Sequence, residues 1–298
     1  MYVIIGANGY LGSYIIRAVL RQTDENVLAT ARNIRELDVG SRLEWVECDV
    51  ENQESVNRLV ERLKKEDNLK IVYLAAYHHP DKVEQNPEYA WNINVTCLSR
   101  FVNAVHFAKA LFYSSTDSVY GNSVDNYHFK ETDALRPVNR YGHNKCAAEA
   151  VVVHSGFNVV RFPFLISPSL VKKKHFYDVI VDSLREGKPF EMYKDSYRSS
   201  LSFENAADLL VRVIESGKAP SVLNICGDDD LSKYDVGLMI ADRCGCPREL
   251  IVPISIEKAK NNFETARAQS TLMSNWELKK LLHLKRVNIF QKPEECEE

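Results

Sequence analysis

The sequence predicts an α/β chain: a doubly wound parallel (Rossmann) sheet with helices on both faces, and a smaller C-terminal substrate-binding lobe. Two observations carry that expectation. Short apolar runs alternate with amphipathic stretches through the first half of the chain, the rhythm of βαβ units. The first run, Met1-Tyr2-Val3-Ile4-Ile5, leads straight into the loop Gly6-Ala7-Asn8-Gly9-Tyr10-Leu11-Gly12, after which Ser13–Leu20 reads as a helix. Right-handed crossovers between such units make the doubly wound order the default topology.

Taken in order, the strands expected are Tyr2–Ile5, Val27–Ala31, Leu43–Glu47, Lys70–Ala75, Ala110–Ser114 and Asn158–Phe162. Helical patterns fall between them, as in Glu54–Lys65, Pro87–Lys109 and Asn139–His154. After Phe162 the rhythm breaks at Pro163, Pro168 and the basic run Lys172–Lys174, which reads as a solvated loop. Glu204–Glu215 is helical again and Val222–Cys226 supplies one more strand. Helices near Lys233–Arg243 and Asn275–Leu282 follow, then a charged tail, Lys292–Glu298, expected to be disordered. The expected division is therefore residues 1–162 plus 203–227 for the nucleotide-binding domain, and 163–202 plus 228–298 for the lobe.

Hydrophobic residues make up 45% of the 298 and charged residues 27%, with net charge −3, an ordinary globular balance without the basic stripe that nucleic acid requires. No apolar run approaches membrane-spanning length, and the first residues read as a strand rather than a leader. Seven scattered cysteines cannot all pair, and Cys244-Gly245-Cys246 lacks a second pair at zinc spacing. Reduced thiols in a cytoplasmic protein, with no metal, are expected.

The glycine loop stands at a strand-to-helix junction, where glycines allow a tight turn and close approach of backbone to a pyrophosphate, and the helix N-terminus favours its charge. Its residues Gly6, Asn8, Gly9, Tyr10, Leu11 and Gly12 are the first candidates for binding a dinucleotide. An acid at the end of the second strand would hold an adenosine ribose. Here Val27-Leu28-Ala29-Thr30-Ala31 ends without one, and Arg32 follows. A guanidinium suits a 2′-phosphate, so NADP is expected, with NAD the alternative and a plain solvent-exposed arginine the competing reading. Tyr141 and Lys145 stand four apart in Tyr141-Gly142-His143-Asn144-Lys145, on one face of a helix. A lysine ammonium beside a phenol favours the phenolate, so Lys145 is expected to lower the Tyr141 pKa toward neutrality.

Together with Tyr113-Ser114-Ser115-Thr116-Asp117-Ser118-Val119-Tyr120-Gly121, these motifs resemble the extended short-chain dehydrogenase/reductase superfamily, in the right order over nearly the whole chain. Ala75-Ala76-Tyr77-His78-His79-Pro80-Asp81-Lys82-Val83-Glu84 with Asn86-Pro87-Glu88, and the segments around Asn224–Asp235 and Arg267–Leu272, resemble its dTDP-4-dehydrorhamnose reductase subfamily. His78-His79-Pro80 departs from the small residues usual there. The resemblance implies a cofactor seat that includes Asp49, Val50, Leu74, Ala75, Ala76, Phe162 and Pro163 as well as Tyr141 and Lys145, and a structural asparagine at Asn94. It implies catalytic roles for Thr116, Asp117, Tyr141 and Lys145, and substrate contacts at Tyr77 and Arg198, the latter at the diphosphate. Related sugar 4,6-dehydratases follow the threonine with an Asp-Glu pair; Ser118 cannot act as that base, so dehydration is disfavoured. The expected activity is NADPH-dependent reduction of a 4-keto-6-deoxy nucleotide sugar. A nucleotide-sugar 4-epimerase and a non-catalytic NADP-binding regulatory subunit are the alternatives. Helices Pro87–Lys109 and Asn139–His154 are candidate faces for a homodimer.

Overall fold

The computed structural model describes residues 1–34, 40–259 and 263–296. Seven strands form one parallel sheet: β1 (Tyr2–Ile5), β2 (Val27–Ala31), β3 (Leu43–Glu47), β4 (Lys70–Tyr73), β5 (Ala110–Thr116), β6 (Asn158–Phe162) and β7 (Val222–Asn224). Their spatial order is β7-β6-β5-β4-β1-β2-β3. Every residue of β1 and β2 is buried, which is why these strands read as unbroken apolar runs rather than as alternation. The order reverses between β1 and β4, and that switch opens a crevice outside the strands' carboxyl ends, the usual ligand site of such sheets.

On one face pack α1 (Tyr10–Gln22) and, later in the chain, the helix over Phe203–Ser216, burying Ile15, Val19, Leu209 and Leu210 against Val160 and Phe162. The other face is covered by α2 (Gln53–Leu63), which sends Leu59 and Leu63 into the core, and by helices that follow β4 and β5. The single helix expected over Pro87–Lys109 is instead broken. Short helices α3 (Pro80–Gln85) and α4 (Pro87–Trp91) run into a π-helical turn, Asn92–Cys97, then α5 (Leu98–Ala104). The wider turn places Asn94 so that its Oδ1 accepts from the Tyr77 amide at 2.8 Å and its Nδ2 donates to the Tyr77 carbonyl at 3.0 Å. π-turns recur where a side chain must be re-aimed at a functional site, and here the asparagine clamps the chain that lines the crevice.

Helix α6 (Arg140–His154) follows β5, with Asn139 Oδ1 accepting from the Gly142 amide at 2.9 Å as its N-cap. The lobe is built from α7 (Phe176–Arg185), a parallel pair of strands Phe190–Tyr193 and Ile251–Ile254, and a helix over Lys233–Cys244; α8 denotes Phe203–Ser216 and α9 denotes Lys233–Cys244. Ile180, Leu184, Met192, Val236, Ile240 and Ile251 form its separate core. Two readings of the tail need correction. Leu278, Leu284 and Val287 are buried with α1 and α8 in the sheet layer, so the helix Trp276–Leu282 and the chain after it pack with the nucleotide-binding half rather than with the lobe. Glu294–Glu295, expected to be disordered, pairs antiparallel with Leu284–Arg286. Among the described residues no helix is long and apolar enough to cross a membrane.

Candidate active site

A cavity of about 310 Å³ lies at the switch point, lined by Gly6, Asn8 and Gly9 from the first turn and by Arg32, Asp49 and Val50 from the ends of β2 and β3. Leu74, Ala75, Ala76 and Tyr77 line it after β4. Gly6 holds φ +81°, and a Cβ there would stand 3.0 Å from the Ala75 amide, so the turn and the close pass of two chains both require glycine. The Gly6 amide donates to Thr30 Oγ1 at 3.3 Å and the Ala7 amide to the Thr30 carbonyl at 2.8 Å, pinning the turn to β2. The far end is closed by Tyr89, whose hydroxyl donates to Glu51 at 2.9 Å while its ring meets Tyr77 edge-on at 5.2 Å. Arg32 is exposed at the rim.

The loop's remaining candidates do other work. Gly12 packs against β1's continuation; a Cβ there would lie 2.4 Å from the Ala7 carbonyl oxygen, so its glycine serves helix-to-loop packing. Leu11 packs into the core, and Tyr10 turns away, its hydroxyl donating to the Lys174 carbonyl at 2.9 Å and its ring resting on His175 at 4.7 Å. The main chain of the basic run is thereby tied at Lys174 to the start of α1, while Lys172, Lys173 and Lys174 themselves are exposed, as expected of a solvated loop. Phe162 and Pro163 are buried at the end of β6, Phe162 pairing with Thr116 and sitting within the core, outside the cavity lining. Tyr77, expected at the substrate, lines this cavity too.

A second set of residues gathers where β5 meets α6. Thr116 ends β5; its Oγ1 donates to Asp117 Oδ1 at 3.0 Å and accepts from the Ser118 amide at 3.2 Å. Gly142, between Tyr141 and Lys145, lets the helix approach: a Cβ there would stand 2.8 Å from the Ser118 carbonyl oxygen and 2.6 Å from Pro137. Lys145 Nζ donates to the Ser114 carbonyl at 2.8 Å and lies 4.5 Å from the Tyr113 ring centre and 5.9 Å from that of Tyr141. Thr116, Asp117, Tyr141 and Lys145 are thus brought together.

The electrostatics differ from those expected of the pair. Burial pushes the Tyr141 phenol above its ordinary value, and the Asp117 carboxylate pushes it the same way. Desolvation lowers Lys145 from 10.5 to about 7, opposed by Glu149 one turn along. Lys145 therefore does not draw the tyrosine down; burial of both groups outweighs their proximity.

Behind this face lies a buried network absent from the sequence reading. Arg161 of β6 pairs with Glu149 of α6 at 2.6 Å, with further bonds of 3.0 and 3.1 Å from its Nε. Ser115 of β5 donates to the same carboxylate, and Arg161 reaches Tyr120, which donates to Asn224 at 2.8 Å. The Ser114 carbonyl and the Ser115 hydroxyl thus meet Lys145 and Glu149 across the β5–α6 seam, fixing the register of helix on strand. The signal available in sequence was a further four-residue step from Lys145 to Glu149, but an acid at that spacing reads equally as a solvated helix face.

Arg198 is placed beside the cleft, but its donors are spoken for. Its terminal nitrogens donate to the carbonyls of Tyr197, Gln269 and Ala268 at 2.7–2.8 Å, and Nε lies 3.2 Å from Asp117 Oδ2. In this arrangement it latches the Ala268–Gln269 chain to the strand end that carries Thr116, and the diphosphate grip expected of it is not what its geometry offers.

Residues 1–292 match the family model described as "RmlD substrate binding domain". The chain belongs to this family. It shares 27% identity over 230 residues with an uncharacterized epimerase/dehydratase of Staphylococcus saprophyticus, covering 72% of this chain and 70% of that protein. With the methionine adenosyltransferase 2 subunit beta of Xenopus tropicalis it shares 26% over 266 residues, 86% of this chain and 75% of that one. Its fold matches that of a dTDP-4-dehydrorhamnose reductase from Bacillus anthracis in complex with NADP, with TM-score 0.76 and 19% identity over 99% and 94% of the two chains. This family member is therefore an extended short-chain dehydrogenase/reductase in architecture, with the doubly wound sheet and glycine turn that its sequence announced.

Proposed function

We propose that the protein is an NADPH-dependent reductase of a 4-keto-6-deoxy nucleotide sugar. The observation that carries this reading is the meeting of Thr116, Tyr141 and Lys145 beside a crevice whose walls suit a dinucleotide. The cradle fits: Gly6 and Gly9 leave backbone bare at the mouth of α1, Asp49 and Val50 flank the end where an adenine would lie, and Arg32 stands where a 2′-phosphate would need a cation. NADPH, when bound, supplies the hydride that reduces the carbonyl carbon. The chain's own residues manage the oxygen. Thr116 Oγ1, already oriented by the Ser118 amide, holds it from one side. Tyr141, kept protonated by burial, delivers the proton to the developing alkoxide. Lys145, anchored on the Ser114 carbonyl, is placed to hold a ribose hydroxyl and to restore charge beside the tyrosine once a ligand closes the cleft.

The matched reductase bound to NADP supports the cofactor, and the absence of an acid after Asp117 supports reduction over dehydration. A second reading, a non-catalytic NADP-binding subunit, is favoured by the likeness to an adenosyltransferase beta subunit; the assembled Thr116–Tyr141–Lys145 set argues for turnover instead. An epimerase would use the same three residues and retain its cofactor. The test is NADPH oxidation against a panel of 4-keto nucleotide sugars, followed at 340 nm. One NADPH consumed per sugar supports the reductase; tight NADPH binding with no oxidation on any of them supports the subunit, and interconversion without net oxidation supports the epimerase.

A further inference from the structure

The lobe side of the cleft carries charges that the reductase reading leaves unused, and they do not cancel. Asp117 and Arg198 answer each other, and the other Arg198 donors end on main-chain carbonyls. Lys233 is different. It opens α9 directly after Ser232, whose antiparallel pairing with Tyr197 sets it beside Arg198, and its amide donates to the Ser196 carbonyl at 3.3 Å. From there the half-buried side chain lies on the face of the Phe164 ring, two residues beyond the end of β6 and close enough to Arg198, Asp117 and His175 to feel or exert their fields. Among the described residues its ammonium has neither an ion-pair nor a hydrogen-bond partner.

A cation drawn partly out of water without an ion pair is costly, and an apolar side chain on Phe164 would not carry that cost. Burial holds the Lys233 amine well below the usual lysine range, and the neighbouring Arg198 adds to the effect. The Phe164 ring face and the field of Asp117 favour the ammonium, but neither is an ion pair or a hydrogen bond. We propose that Lys233 is an anion-recognising residue of the substrate cleft, taking an oxygen of a phosphate or carboxylate group carried by the nucleotide sugar. The inference rests on the nucleotide-sugar reading above. It moves the anion contact from Arg198, whose donors are taken, to an ammonium with no ion-pair or hydrogen-bond partner among the described residues.

The test measures binding by calorimetry to the full chain saturated with NADP⁺, which keeps pyrophosphate off the glycine loop. The probes are inorganic pyrophosphate, dTDP-glucose and UDP-glucuronate, on wild type, Lys233→Met and Lys233→Arg. Lys233→Met is expected to weaken at least one probe by about tenfold or more, as loss of a charge-assisted hydrogen bond should, while Lys233→Arg retains most of the affinity. Loss for pyrophosphate and dTDP-glucose alike assigns the contact to the diphosphate; loss confined to UDP-glucuronate assigns it to a sugar carboxylate. Unchanged affinity for all three probes in Lys233→Met, or no binding of any probe by the wild type, overturns the proposal. NADPH fluorescence on the same samples separates the two claims: Lys233→Met should bind NADPH as the wild type does, and a wild type that fails to bind it would fail the underlying reading first.

Discussion

The two walls of the cleft are built on different logic. On the sheet wall, function is carried by backbone: glycines that admit a ligand, strand ends that stop at the crevice, and a helix drawn close to β5 because residue 142 has no side chain. On the lobe wall, function is carried by charged side chains that meet only after the chain has crossed the molecule, as when Arg198 reaches Asp117 and then Ala268 and Gln269. A site made of turns is tolerant of sequence drift around it but intolerant of a single added methyl. A site made of buried charges depends on pairing, and an unpaired member such as Lys233 marks the place where a ligand's charge belongs.

The sharpest way to break this contrast is at the sheet wall. Gly142→Ala places a methyl against the Ser118 carbonyl and Pro137, so α6 must shift by a few tenths of an ångström or more at Tyr141. We expect turnover to fall by about 10²-fold, the scale set by misplacing a reacting group by about 1 Å, with NADPH binding kept within a few-fold. Normal turnover in that variant would show that the helix approach is not set by Gly142. On the lobe wall, Arg198→Ala leaves Asp117 buried without its partner, and removing one member of such a pair costs about 3 kcal/mol or more. A fall in the denaturation midpoint measured by circular dichroism checks it. An unchanged midpoint with weakened sugar binding would instead restore Arg198 to the diphosphate.

Smaller effects refine the picture. Arg32→Ala should lower the NADPH-to-NADH preference by about tenfold, the value of one charge-assisted contact; an unchanged ratio of kcat/KM for the two cofactors would remove Arg32 from the 2′-phosphate. Glu149→Gln tests the buried seam. Glu149 is the group that raises Lys145 against desolvation, so its loss should carry Lys145 below about 7. In the proposed mechanism protonated Lys145 is the working form, so the rate should fall as pH rises through that value, and in Glu149→Gln the fall should begin at lower pH. The stability sign runs the other way. With Lys145 lowered in the folded state, the unfolded chain binds the extra proton between about 7 and 10.5, so this group makes the protein less stable as pH falls through that window. Lys145→Met should therefore raise the melting temperature at neutral pH while abolishing turnover.

What could be read from sequence follows the same division. Strands β1, β2, β3 and β6 lie residue for residue where the sequence placed them; β1 and β2, buried throughout, read as apolar runs, whereas β3 is partly exposed and carries Glu44 and Glu47. Gly6, Gly9, Arg32, Asp49 and Ala75 could be placed because a strand end fixes where the next residue lies. The π-turn at Asn92–Cys97 was not legible; its residues have ordinary helical character, and only the bond from Asn94 to Tyr77 makes the wider turn worthwhile. Lys233 could not be found, since it is 35 residues from Arg198 in sequence and reaches the cleft only through the pairing of Ser232 with Tyr197. The shift of Tyr141 was read with the wrong sign for the same reason: spacing shows a lysine nearby, whereas burial, the larger effect, appears only once the helix is packed.

The most direct test of the account is Tyr141→Phe, which removes one oxygen and leaves the ring in place. With a 4-keto nucleotide sugar that the wild type reduces, single-turnover NADPH oxidation should slow by about 10²- to 10⁴-fold, the usual contribution of a positioned proton donor, while NADPH affinity stays within about twofold. A variant that oxidises NADPH at close to the wild-type rate would contradict the assignment of Tyr141 as proton donor, and with it the reading of this cleft as a reductase site.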